Sequence, residues 1–118
     1  MKHPILICLF SVAVCASCAD ASDAVADHLD TMAGIAVENG SRCDDMETAL
    51  NRYLDAHEAE LRMSIQRISN IPAEKARLIF EASMRLNYTT MHCSETHLVT
   101  FNKRLSDIIL PTALPTPQ

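Results

Sequence analysis

The sequence predicts an all-α protein, an antiparallel helical bundle of four helices forming one small domain. Three observations lead to this expectation. After the first 20 residues, apolar side chains recur at steps of three, four and seven, the period of one helix face. Gly occurs only 2 times in 118 residues, which argues against a turn-rich all-β fold and for long helices. Hydrophobic residues make up 48% of the chain but aromatics only 4%, and Trp is absent, so the core is expected to be aliphatic with Met as filler. The length suits a single core. The formal charge is −5, and all 15 acidic residues follow Cys18. Phosphate attraction dominates nucleic-acid affinity, so an acidic domain of this size implies no nucleic-acid partner.

Residues 1–18 read as a signal peptide. Lys2 and His3 form a short, weakly basic start, and the run from Pro4 to Ala16 is almost wholly apolar. It is shorter than the roughly 20 residues of a spanning helix and matches a signal core. Residues 19–110 are assigned to the helical bundle domain. The first helix is expected over 22–39, with Val25, Leu29, Met32 and Ala36 on one stripe, widened by His28 and Ile35, and Ser22 as its N-cap. Asn39-Gly40-Ser41 stops it, with Gly40 suited to the left-handed cap position.

The second helix, 44–69, is the longest, about 40 Å at ~1.5 Å per residue, and is the element around which the others are expected to pack. Its stripe runs Met46, Leu50, Tyr53, Leu54, His57, Leu61, Ile65 and Ile68. Asp44, Asp45 and Glu47 near its start and Arg62 and Arg67 toward its end suit the helix dipole. The break that follows holds Asn70 as a cap and Pro72 in a first turn. The third helix is expected over 72–91, with Ala76, Phe80, Met84, Asn87 and Met91 on its core stripe. Thr89, Thr90 and the segment around Cys93 weaken helical propensity, so a turn is placed near Cys93. The fourth helix then covers 95–109, with Leu98, Phe101, Leu105 and Ile108 inward. The stripe stays in phase across Cys93, and an unbroken helix there would give three helices instead of four. Residues 111–118 (PTALPTPQ) are expected to form a disordered, Pro-rich tail.

The candidate sites begin with cysteine. Cys8 and Cys15 leave with the signal. Cys43 and Cys93 fall in two loops at the same end of an up-down-up-down bundle, so a disulfide between them is geometrically natural. A redox-active or metal-binding thiol pair is the alternative, though the two do not form C-x-x-C. His57 lies in the middle of the second helix's stripe, where a hydrogen-bonded core role competes with a metal role; Glu58 and Glu60 are expected to point away from it. A second arrangement joins Met32 with His92 or His97 as ligands for a soft metal or a b-type haem iron. The absence of C-x-x-C-H excludes covalent haem. Met32, Met46, Met63, Met84 and Met91 are mostly assigned to core stripes, and Asn87, within the sequon Asn87-Tyr88-Thr89, is placed toward the core. No nucleophile–base–acid set or G-x-S-x-G is present, so no enzyme activity, catalytic residue or obligatory cofactor is expected.

Two resemblances complete the reading. Cys15-Ala16-Ser17-Cys18 resembles the lipobox of bacterial lipoproteins, in which small residues precede the Cys that becomes acylated. Cys15 departs from the aliphatic residue usual three positions before that Cys. The resemblance implies lipidation of Cys18 and a membrane held through a lipid anchor. Cleavage after Ala19-Asp20-Ala21, releasing the domain into the periplasm, is the alternative. The Cys43-Asp-x-Met46 segment with Leu50, Leu54 and Glu58, and Met91-x-Cys93 before a periodic helix, resemble a group of small exported helical proteins of Gram-negative bacteria. That resemblance implies a disulfide-pinned bundle in the cell envelope and transfers no catalytic residues. The expected function is a non-enzymatic, lipid-anchored envelope protein that presents a helical surface to a protein partner, on the periplasmic side of the outer membrane or in the periplasm. The alternative is a periplasmic metal- or haem-binding bundle.

Overall fold

The computed structural model describes residues 21–68, 71–94 and 96–113, with side chains to Ile109. It contains four helices, α1 (Ala21–Asn39), α2 (Cys43–Arg67), α3 (Ala73–Ser94) and α4 (Val99–Ala113), and no strand among the described residues. The all-α bundle expected from the sequence is therefore present. The signal segment, Cys18, Asn70 and residues 114–118 lie outside the described residues.

Each boundary has a local cause. α1 ends at Asn39, and Gly40 follows with φ +54°, the left-handed conformation that costs glycine nothing. Its N–H returns to the carbonyls of Ala36 and Val37 at 3.1 and 3.2 Å. Asp44 and Asp45 occupy the first turn of α2 and Arg67 its last, each sign favourable to the dipole. Ser22 falls inside α1 and so does not cap it. Thr89 and Thr90 do not break α3: their hydroxyls donate back to the carbonyls of Arg85 and Leu86 at 2.9 and 2.8 Å. The break comes just past Cys93, after Ser94, with the turn at Thr96 and His97. α4 continues through Pro111 to Ala113, three residues into the expected tail. Proline forgoes one intrahelical hydrogen bond there, close to where the ladder ends anyway.

Consecutive helices run in opposite directions. Asp23 pairs with Lys75 at 2.8 Å, Asp30 with Arg85, and the Gly40 carbonyl accepts from His92 Nε2 at 2.7 Å, so α1 and α3 lie side by side and parallel. α2 and α4 are likewise parallel: His97 lies 3.6 Å from Asp44, and Arg104 donates to Asn51 Oδ1 at 3.2 Å. Arg104 also reaches Asp55 at 2.9 Å and Glu58 at 3.3 Å.

The organising element is α1, not the longer α2. α1 packs against both α2 and α3, while α4 attaches through α2. The reason is side-chain size. α1 buries Ala21, Ala26, Ala33 and Ala36 beside Val25, Leu29 and Met32. Ala26 and Ala33 share a stripe with Asp23 and Asp30, the residues that reach α3, so small side chains let that helix come close. α2 buries Met46, Leu50, Leu54 and Leu61, as its periodicity requires, with Tyr53, Ile65 and Ile68 partly buried against the core. Leu98, just before α4, and Phe101 and Ile108 within it close the core.

α3 is rotated relative to expectation. Its buried residues are Ala82, Leu86, Thr90 and Cys93, with Ile79 packed beside them. Phe80, Met84 and Met91, assigned inward from the sequence, are exposed, Phe80 by 63%. Asn87 is exposed as well, and so are Met63, Met84 and Met91; of the described methionines only Met32 and Met46 are core residues. The cause is the Cys43–Cys93 disulfide, with its Cα atoms 5.4 Å apart. Cys93 is fully buried and bonded to the start of α2, which turns residues 79, 82, 86 and 90 inward along with it. Met91 stands ~200° around the helix from Cys93 and must face away.

Candidate functional site

Four side chains meet where the middle of α2 crosses α1. His28 is presented by α1; Tyr53, His57 and Glu60 share one face of α2, at steps of four and three. His28 is held between two neighbours. Its Nδ1 lies 2.6 Å from the Tyr53 hydroxyl, and its Nε2 faces Glu60 Oε1 at 3.5 Å. The same Glu60 oxygen lies 3.3 Å from His57 Nδ1. The Tyr53 and His57 rings stack at 4.2 Å between centroids with 30° between planes, and the His28 ring tilts against His57 at 5.5 Å. His28 is 11% exposed and Glu60 67%, so the group runs from the helix interface out to solvent.

Burial lowers the pKa of His28 below its ordinary value; the Glu60 carboxylate opposes that shift and His57 adds to it. Burial raises Tyr53. One ligand atom each from His28, His57 and Glu60 lies within 4.8 Å of the other two. Two imidazoles and a carboxylate at that separation could hold a metal ion or relay a proton between an interior ring and a surface acid.

This grouping corrects the sequence-based one. Glu60 turns toward His57 instead of away, because a three-residue step keeps both on the same helix face. His57 is not a core residue; its side chain is 40% exposed. Its expected alternatives stand elsewhere. Met32 is enclosed in the hydrocarbon core. His92 is exposed and donates to Gly40, and His97 sits beside Asp44 and Thr96. Both belong to the disulfide end of the bundle, whereas His57 is 14 residues along α2 from Cys43, about 21 Å away at ~1.5 Å per residue. Cys43, His92 and Cys93 are also close together, but the two sulfurs are bonded to each other and offer no thiolate. His28 was legible only as a stripe residue; nothing in its sequence neighbourhood indicated that it would meet His57.

The exposed side of α3 is the second feature. Phe80, Met84, Tyr88 and Met91 form one row at steps of four, four and three, and Tyr88 is 75% exposed. Beside it, Val37 and Gly40 of the α1 end join Tyr88, Met91 and His92 around a shallow groove of about 480 Å³. Two further clefts penetrate between the helices. One, about 470 Å³, lies among Val25, Leu29, Ile65, Ile79 and Ile109; the other, about 340 Å³, lies among Leu86, Phe101 and Leu105. Among the described residues, neither is lined by a titratable side chain. No known family model, curated protein or solved structure matches the chain.

Proposed function

We propose that the chain is a non-enzymatic, exported and lipid-anchored helical protein that docks an apolar helix of a partner protein against α3. The row Phe80, Met84, Tyr88 and Met91 is the observation on which this rests. A contiguous apolar row on an exposed helix is unusual for a surface with nothing to cover it. It extends ~16 Å over the eleven steps from Phe80 to Met91, straight along the helix, which suits another helix laid beside it. Two methionines let it adapt to its partner's shape. The charges at its rim are already paired, Arg77 with Glu81 at 3.9 Å and Arg85 with Asp30. With the overall charge of −5, that rim favours an apolar protein surface over anionic lipid or nucleic acid. The apolar leader and lipobox-like Cys15-Ala16-Ser17-Cys18 support export and anchoring, and the disulfide accords with an oxidising compartment.

A photoreactive residue at position 88, introduced in the native host, tests the docking face. The expected result is one adduct of defined mass, crosslinked through an apolar helical segment of the partner. It should be absent when the probe is at Lys103 on α4 and lost in Met84→Asp. An adduct of twice the chain's own mass would overturn the reading by making a second copy the occupant. No adduct at position 88 would overturn the docking face itself.

A further inference from the structure

We propose that His28, His57 and Glu60 form a binding site for one divalent transition-metal ion of the zinc class, with a water completing the shell. A tetrahedral ion with bonds of ~2.0–2.1 Å holds its ligand atoms ~3.3 Å apart. Glu60 Oε1 lies 3.3 Å from His57 Nδ1 and 3.5 Å from His28 Nε2, and one ligand atom of each of the three residues lies within 4.8 Å of those of the other two. Two edges of the tetrahedron are thus already present, and metal binding would draw the two imidazoles together to complete the third. As a hydrogen bond, the 3.5 Å contact is too long to be a good one. The three atoms are better spaced for a shared ion than for bonding one another.

The residues around the ligands favour the same reading. A metal-bound histidine is normally oriented by a hydrogen bond to its other ring nitrogen. His28 has this bond, from Nδ1 to the Tyr53 hydroxyl at 2.6 Å, which leaves Nε2 aimed at Glu60. Tyr53 also stacks on His57 and limits its rotation. One tyrosine therefore positions both imidazoles. Helical bundles hold metals with a glutamate and a histidine three residues apart on one helix and further ligands from facing helices; His57 and Glu60 have that spacing in the reverse order. The donor set of two imidazoles and one carboxylate suits zinc and its neighbours and excludes a soft, thiolate-seeking ion. Glu60 is largely exposed, so the ion has a path in and the fourth position faces water. This site stands apart from the α3 row, and its test is independent of the docking experiment.

The test uses the full chain with any affinity tag removed and the disulfide intact. Zinc is titrated in by calorimetry, and cobalt is substituted as a spectroscopic probe. The expected result is one zinc per chain and the visible absorption of four-coordinate cobalt. His57→Ala and Glu60→Ala each remove a partly or largely exposed ligand and should leave the helical circular dichroism unchanged while weakening zinc binding at least ~10-fold. Tyr53→Phe keeps the ring and removes only the hydroxyl; it should weaken binding ~10-fold and perturb the cobalt spectrum. His28→Gln tests the buried ligand without opening a large cavity. Absence of saturable zinc binding at micromolar concentration would overturn the proposal. So would binding of unchanged affinity in the His57→Ala, Glu60→Ala double variant, which would place the ion elsewhere.

Discussion

The rotation of α3 makes a paired prediction that separates its two apolar faces. Leu86 is 4% exposed in the core, while Met84, two residues away on the same helix, is 50% exposed. Leu86→Ala removes buried carbons and leaves a cavity, a change that costs about 2–5 kcal/mol in close-packed interiors. Leu86 also lines a cleft of about 340 Å³ with Phe101 and Leu105. Neighbours beside existing space can shift into the vacated volume, which puts the expected cost at the lower end, about 2–3 kcal/mol. Met84→Ala deletes a side chain with half its surface in water and should change stability by no more than about 0.5 kcal/mol. Urea unfolding followed by far-UV circular dichroism, with the disulfide intact, measures both. Against a total of roughly 5–15 kcal/mol the larger loss is readily resolved. The midpoint should move for Leu86→Ala and stay for Met84→Ala, with the slope unchanged in both. If Met84→Ala proves as costly as Leu86→Ala, α3 buries the Phe80–Met91 row and the proposed docking face does not exist.

Reducing the Cys43–Cys93 bond, which spans 50 residues, should lower unfolding free energy by about 4 kcal/mol in the chain-entropy treatment; a drop below ~1 kcal/mol on urea unfolding with and without reductant would refute that estimate. Glu58 accepts from Arg62 and Arg104, and these bonds hold its carboxyl below the usual value of 4.5. A depressed carboxyl binds its proton less tightly folded than unfolded, so its contribution is present above pH 4.5 and is lost as pH falls through the lowered value. Glu58→Gln should therefore flatten the acid limb of a stability–pH curve while leaving its shape unchanged above pH 5; an identical acid limb would show that Glu58 is not coupled to folding. Cys18→Ala should move the protein from the membrane to the soluble fraction of the cell envelope, and unchanged fractionation would favour cleavage at Ala19-Asp20-Ala21 instead.

Much of the fold was legible because its signals are local. Apolar steps of three and four on residues 25–36, 46–68 and 98–108 name most of the residues buried there, though Ala26 and Ala33 are buried off the expected stripe and His57 on it is not. Gly40 marked a cap because a left-handed turn is a property of one residue. The disulfide followed from chain direction, since alternating helices return the first and third loops, beside which the two cysteines lie, to the same end. α3 misled because both of its faces are apolar enough to be a core: Ala76, Phe80, Met84 and Met91 on one, Ile79, Ala82, Leu86 and Cys93 on the other. The signal that resolves them was available in Cys93. A helix whose last turn is bonded into the core at Cys93 must also turn residues 79, 82, 86 and 90 inward, and the two expectations exclude each other.

The sequence left three or four helices open and placed Cys43 and Cys93 in loops, whereas they lie in the first turn of α2 and the last turn of α3. By itself, it determined the all-α class, helix bounds to within a few residues, most of the aliphatic core of α1, α2 and α4, and which two cysteines could meet. These depend on neighbours along the chain or on the direction in which the chain runs. Only the tertiary structure decided that α1 is the central helix, because close approach by two others depends on where its alanines meet them. Only the tertiary structure decided which face of α3 meets water. It alone brought His28 within reach of Tyr53, His57 and Glu60, residues 25 to 32 positions away, since contact between two helices depends on crossing angle and offset, to which a periodic pattern within either helix is blind.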